Sequence, residues 1–194
     1  MFSASFLSRL LAAAGLAAAA PLAAPLATTP AQNESPTSAV FAPLAQTPDG
    51  RVETRHLTLR LSSSPSPAAR GGRVTLVVDV TPKPKMHVYA PEQKDIIPVS
   101  LALTPAPDIR AGTLRLPPSE PYFFAPLNET QRVYSKPFRL EQPVTIAGTR
   151  AMRGGARTRT ITIAGRLRYQ ACDDTICYLP QEIPLEWTVT LDAS

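Results

Sequence analysis

The chain has 194 residues, 20 Lys and Arg against 15 Asp and Glu for a formal net charge of +5, 22 prolines, nine glycines and two cysteines. That length suffices for one domain with its own core plus some tether, and so many prolines with few aromatics point away from a helical bundle and toward strands and turns. The arginines, among them Arg153, Arg157, Arg159, Arg166 and Arg168, alternate with apolar or hydroxyl residues, without the clustering, interleaved aromatics or recognition helix that nucleic-acid binding needs, so no nucleic acid is expected as a partner.

The N-terminal stretch "MFSASFLSRLLAAAGLAAAAPLAAPLATTPAQ" holds one positive charge, Arg9, then an apolar alanine and leucine run, then small residues. This is the layout of a secretory signal peptide, assigned to residues 1–31. Pro21 and Pro25 break the run, leaving it short of the about 20 residues that cross a membrane. Ala24 and Ala31 are both candidate cleavage points, and Pro25 directly after Ala24 favours the second; an uncleaved N-terminal anchor is the alternative. Either way the bulk of the chain is expected to be periplasmic or otherwise exported and soluble, with no stable membrane span after signal removal, in a space where a disulfide persists. Residues 32–50 are rich in Pro, Ala, Ser and Thr without a sustained period and read as a flexible lead-in.

One ordered domain is expected over residues 51–194. Its segments alternate apolar and polar residues between Pro, Gly and Asp punctuation, the pattern of half-buried antiparallel strands. "VETRHLTLRLS" places Leu57, Leu59 and Leu61 on one face, and "GRVTLVVDVTP" does the same with Val74, Leu76, Val78 and Val80. Then follow "MHVYAP", "PVSLALTP", "GTLRLPP", "KPFRLEQPVTIAG", "RTRTITIAGRLRYQAC" and "EIPLEWTVTLDAS". The intervening prolines would interrupt any long helix. About eight short strands with regular turn signals predict an all-β fold, a two-layer antiparallel β-sandwich of immunoglobulin-like architecture. "PSEPYFFAPLNETQRVYSKPF" shows no clean strand pattern and reads as a long irregular loop, a class of segment that is often functional. His87 reads as a structural or surface histidine, His56 as one on a polar-facing position, and Trp187 as core or sheet-edge packing.

The chemistry concentrates in "YQACDDTICYLPQ", which holds Cys172 and Cys177. Strand-like residues flank the pair and Asp173, Asp174 and Thr175 are turn formers, so a bridge at a hairpin or tight bulged loop is geometrically easy. Closing so short a loop removes only about 2 kcal/mol of denatured-chain entropy, against ~4.7 for a loop of a hundred residues. A structural disulfide and a redox-active pair both remain open at this level. Metal is not expected, because only His56 and His87 could complete a ligand set and neither spacing fits a zinc pattern. The aspartates beside Cys172 favour thiol over thiolate, which suits a carrier working with a partner of lower thiol pKa.

"YQACDDTICYLPQ" followed by "EIPLEWTV", with "MHVYAP" upstream and "RVYSKPFRL…PVTIAG" between, resembles the N-terminal periplasmic domain of the thiol:disulfide interchange protein DsbD over roughly Arg51 to Leu191. The resemblance implies an immunoglobulin-like sandwich, without a cofactor, that moves electrons by thiol-disulfide exchange from a thioredoxin-like donor to exported thiol oxidoreductases. It implies that Cys177 forms the mixed disulfide and Cys172 resolves it. It also implies a mobile cap loop with an aromatic ring over the pair: here Phe123 or Phe124, with Tyr122 as a third candidate, and Tyr89, Tyr169 and Tyr178 walling the pocket. Full-length members continue into a membrane domain and a thioredoxin-like domain, so a chain ending at Ser194 reads as a free-standing version whose donor is a separate protein. From a different class, the alternative is a non-catalytic β-sandwich that binds a protein or envelope component and keeps the cysteines as a short structural clamp.

Overall fold

Alternation along the long strands decides the layering. In the computed structural model, which describes residues 46–69, 71–94, 96–147 and 158–192, the strands in chain order are β1 (Arg51–Glu53), β2 (Leu57–Ser64), β3 (Arg73–Pro82), β4 (His87–Tyr89), β5 (Ser100–Leu103), β6 (Ile109–Ala111), β7 (Glu120–Phe124), β8 (Glu129–Tyr134), β9 (Phe138–Ile146), β10 (Thr158–Tyr169), β11 (Ala171–Cys172) and β12 (Gln181–Asp192). The expected signal and residues 32–45 of the lead-in lie outside the described residues.

One antiparallel sheet runs in the order β1-β2-β3-β9-β6 and a second in the order β12-β10-β5. Leu57, Leu59 and Leu61 of β2 and Val74, Leu76, Val78 and Val80 of β3 are buried, as are Leu140, Val144 and Ile146 of β9. From the other sheet Ile163, Leu167, Ile183, Leu185, Val189 and Leu191 join the same cluster. The two covered faces therefore pack together as a β-sandwich of immunoglobulin-like layering, with each fully buried Leu or Val contributing about 1.5–3 kcal/mol. Trp187 lies in this core and its Nε1 donates to the Val77 carbonyl at 3.1 Å, satisfying the one polar atom of a large buried ring.

A third sheet, β11-β4-β8-β7, carries the cysteine region. β7 and β8, joined by a 3-10 turn at Ala125–Leu127 and Asn128 in the left-handed region at φ 52°, form a hairpin where the sequence pattern predicted an irregular loop. Pro121 obscured that pattern, yet it sits on the outer strand of this sheet, where a missing N–H costs no ladder bond. "GTLRLPP" departs the other way: Arg115 makes one isolated bridge to Glu141 and no strand forms there, since Pro117 and Pro118 cannot extend the ladder.

The last five residues of the expected lead-in are also built into the domain. Gly50 N donates to Thr47 O and Leu61 N to Gly50 O, closing a turn on β2. The Gln46 amide pairs with the backbone of Glu186 in both directions, Nε2 to O at 2.7 Å and N to Oε1 at 3.1 Å. Polar composition reads as tether, but these side chains serve backbone groups of the sheets.

Gly165 marks the tightest approach in the second sheet. A Cβ there would lie 2.9 Å from the Ala102 carbonyl oxygen, 3.1 Å from Leu103 and 3.2 Å from Trp187. Gly165→Ala is expected to lower stability by about 1–3 kcal/mol, read as a drop in the urea midpoint at unchanged slope. An unchanged midpoint would show that the sheet yields there freely.

Candidate functional site

The site is built by a ladder that stops short. β10 and β12 pair from Thr158↔Asp192 to Tyr169↔Gln181, so both ends of the segment between them are fixed. Within it, β11 leaves the ladder and pairs with β4, placing Ala171 opposite Val88 and Cys172 opposite His87. Asp173 then turns the chain. Its carboxylate accepts from Thr175 N at 2.8 Å, Ile176 N at 2.9 Å, Thr175 Oγ1 at 2.7 Å and Tyr178 Oη at 2.7 Å, an Asx-type turn with its acceptor capacity used. The return brings Cys177 across from Cys172 with Cα atoms 4.0 Å apart, and the two are disulfide-bonded.

The two cysteines do not share one environment. Cys172 is fully buried and Cys177 is exposed. Beneath them the Tyr89 hydroxyl lies 3.0 Å from Cys172 Sγ and 3.2 Å from Cys177 Sγ, and it donates to Gln131 Oε1 at 3.2 Å. Burial raises the pKa of this phenol, so Tyr89 stays a donor throughout the neutral range. Tyr89, Val133 and Cys172 form a small cluster separate from the main core, with Ile96 and Tyr122 packed against it.

Strand alternation separates the three candidate rings. On β7, Tyr122 and Phe124 share the covered face and Phe123 points outward. Tyr122, the third candidate in the sequence, is the ring packed against the cysteine cluster. Its hydroxyl donates to Asp174 Oδ1 at 2.7 Å, and this bond above all pushes its pKa up to about 12. Phe124 is buried with its ring 6.5 Å from that of His87, and Phe123 is exposed.

Of the expected wall residues, Tyr89 touches both sulfurs, whereas Tyr169 and Tyr178 belong to the main core. The Tyr169 hydroxyl is 3.1 Å from Thr54 Oγ1, and Tyr178 packs on His56 with centroids 4.6 Å apart beneath the Arg55 guanidinium. His56, expected on a polar face, is buried. Thr54 Oγ1 accepts from both His56 N and Leu57 N, and this tight turn before β2 swings the imidazole inward. Burial, with Arg55 and Lys83 nearby, lowers its pKa. His87 is also buried, its ring 4.3 Å from that of Tyr122; burial lowers its pKa while Asp174 and Asp173 oppose the shift.

Two features escaped the sequence reading. Gln131 is fully buried beside Tyr89; its signal was its spacing of two from Val133, hidden because the segment was not read as a strand. The large hydrophobic side chains that remain exposed among the described residues, Phe123, Leu127, Ile176 and Leu179, lie on the β7–β8 hairpin and the cysteine loop. Among the described residues no group of three His, Cys, Asp or Glu is placed to hold a metal ion, and no helix is long and apolar enough to cross a membrane.

The family described as Thiol:disulfide interchange protein DsbD, N-terminal, matches residues 61–186. No curated protein matches the chain in sequence. Among solved structures, the N-terminal periplasmic domain of ScsB from Proteus mirabilis is similar at a TM-score of 0.45 and 13% identity, over 75% of this chain and 51% of that one. The reduced DsbD n-terminal domain of Neisseria meningitidis is similar at a TM-score of 0.40 and 17% identity, over 69% of this chain and 90% of that one. The chain thus spans about half the length of the ScsB structure.

The Asp173 carboxyl is held well below the usual carboxylate range by the Ile176 amide first, then by the Thr175 and Tyr178 hydroxyls. A depressed carboxylate favours the folded loop above its unfolded pKa of about 3.9. That contribution fades only as pH falls below this value and through the folded pKa. In an NMR titration the Thr175 and Ile176 amide shifts should therefore stay constant through pH 4 and move only well below it. An inflection at the ordinary value would mean that the turn does not hold the anion.

Proposed function

The chain belongs to the family of N-terminal domains of the thiol:disulfide interchange protein DsbD, and on that premise we propose that it passes reducing equivalents from a thioredoxin-like donor to exported thiol oxidoreductases through the Cys172–Cys177 pair. What supports this most directly is the unequal exposure of the two cysteines. An incoming thiolate has access to exposed Cys177, and buried Cys172 is the sulfur left to depart. As a clamp, the bridge would stabilise the fold by only about 2 kcal/mol, in a domain whose core is already continuous from sheet to sheet.

The exchange runs in two halves. A donor thiolate bonds to Cys177 Sγ, the Cys172–Cys177 bond breaks, and its electron pair stays on Cys172. The donor's second thiolate then displaces Cys177, so that the donor leaves as a disulfide and the pair as two thiols, carrying the two protons of the donor thiols. Toward an oxidised client the sequence reverses: Cys177 attacks, and Cys172 resolves. Tyr122, packed against the cluster that holds Cys172 and tied by its hydroxyl to Asp174 on the cysteine loop, acts as the cap of the pair and limits access by small thiols. The exposed Phe123, Leu127, Ile176 and Leu179 give a partner apolar surface on the hairpin and the cysteine loop. Residues 1–31 direct the chain out of the cytoplasm, where such partners work.

Cys172→Ser is expected to accumulate a covalent adduct with a thioredoxin-like protein through Cys177, seen on non-reducing gels, while Cys177→Ser accumulates none. Absence of the adduct, together with a reduction potential below about −300 mV rather than between about −120 and −270 mV, would leave the clamp as the better reading. Tyr122→Phe removes the bond to Asp174 and should raise the rate of disulfide reduction by glutathione several-fold at unchanged thermal stability; an unchanged rate would remove Tyr122 from the shielding role.

A further inference from the structure

Gln131 is fully buried on β8, and the two ends of its amide are unequally served. Oε1 accepts from Tyr89 Oη at 3.2 Å. Nε2, with two hydrogens to give, has no hydrogen-bond partner among the described residues. Buried donors without partners are rare and destabilising. A half-turn about the last side-chain torsion, which has a broad preference, exchanges the two ends.

The disulfide form explains why the oxygen faces Tyr89. Bonded to each other, the sulfurs carry neither hydrogen nor charge, and the amide oxygen is the better acceptor for the phenol hydrogen. Opening the bond inverts that ranking. The Cys172 sulfur, fully buried and 3.0 Å from the same hydroxyl, then holds the electron pair of the broken bond as a thiolate, in surroundings that disfavour charge.

We propose that Gln131 is a positioning residue for the exchange reaction: it holds the Tyr89 hydrogen while the disulfide is intact, and when the bond opens its amide turns so that Nε2 donates to Tyr89 Oη and Tyr89 donates to the Cys172 thiolate. This deepens the exchange function proposed above and rests on it. In the step concerned, a bond forms between the partner sulfur and Cys177, the Cys172–Cys177 bond breaks, and the partner thiol is oxidised to one half of a mixed disulfide. No proton changes owner at that moment. Successive donors in a hydrogen-bonded chain strengthen one another, so the amide makes Tyr89 a better donor to the leaving sulfur than an isolated phenol would be.

The test is the stopped-flow rate of disulfide reduction by dithiothreitol in the full chain. Gln131→Met keeps the side-chain length, removes the amide, and should slow reduction by on the order of tenfold. Tyr89→Phe should slow it by at least as much. Adding Gln131→Met to Tyr89→Phe should change nothing further, because Gln131 acts only through the hydroxyl. A wild-type rate for Gln131→Met, or single effects that simply multiply in the double variant, overturns the proposal. A second measurement needs no variant: in the reduced wild-type chain, the Gln131 side-chain amide protons should shift downfield as rising pH converts the Cys172 thiol to the thiolate, and resonances that stay unmoved overturn it equally. Reduction of the wild type by a thioredoxin-like protein tests the exchange function itself, while the variant ratios with dithiothreitol test the relay alone, so either can fail without the other.

Discussion

The β10–β12 ladder fixes everything that happens at the sulfurs. Twelve consecutive residue pairs, ending at Tyr169↔Gln181, anchor both ends of the segment from Gln170 to Pro180. Between those fixed ends the chain has few ways to travel. β11 is drawn off to β4, the four bonds received by Asp173 set the return, and Cys177 arrives opposite Cys172. The bridge is a product of this frame more than a support for it. That relation fits the exchange proposed above, in which the bond opens and closes without taking the sandwich apart.

The same frame divides labour between two faces of one short loop. On one side Tyr178 is packed with His56 and Tyr169 against the main core, which holds the backbone next to Cys177 in place. On the other side Tyr89, Tyr122 and His87 surround Cys172. Position is thus supplied by the large core, and chemistry by the small cluster. The aspartates follow this division. Asp173 is consumed by the turn and Asp174 reaches Tyr122, so the two adjacent carboxylates of the sequence perform unrelated tasks.

The large strands were legible because period-2 alternation is a direct imprint of a one-sided core: Leu57, Leu59 and Leu61 lie where their spacing put them. The cysteine loop was legible because turn formers sit between strand-like flanks. What was hidden shares one physical cause, dependence on partners far away in sequence. Prolines 121 and 126 concealed a hairpin whose outer strand and turn tolerate them, and with it the alternation that sets Tyr122 and Phe123 on opposite faces. His56 turns inward through a bond to Thr54, and Gln46 serves a backbone 140 residues away. Gln131 reads as an ordinary polar residue until Tyr89 is placed beside it. Polar residues inside a fold carry no periodic signature of their own, because a partner rather than a pattern justifies their burial.

The Gln46 amide on Glu186 has a meaning beyond its local bonds. β12 is the outermost strand of its sheet, and an unpaired rim of N–H and C=O groups is a template for edge-to-edge aggregation. Here a side-chain amide imitates a neighbouring strand at Glu186, Pro184 offers no N–H, and Ala68 occupies the Thr190 carbonyl and the Asp192 amide. The row that a second copy would extend is thus interrupted by a few well-placed groups rather than hidden by a covering helix.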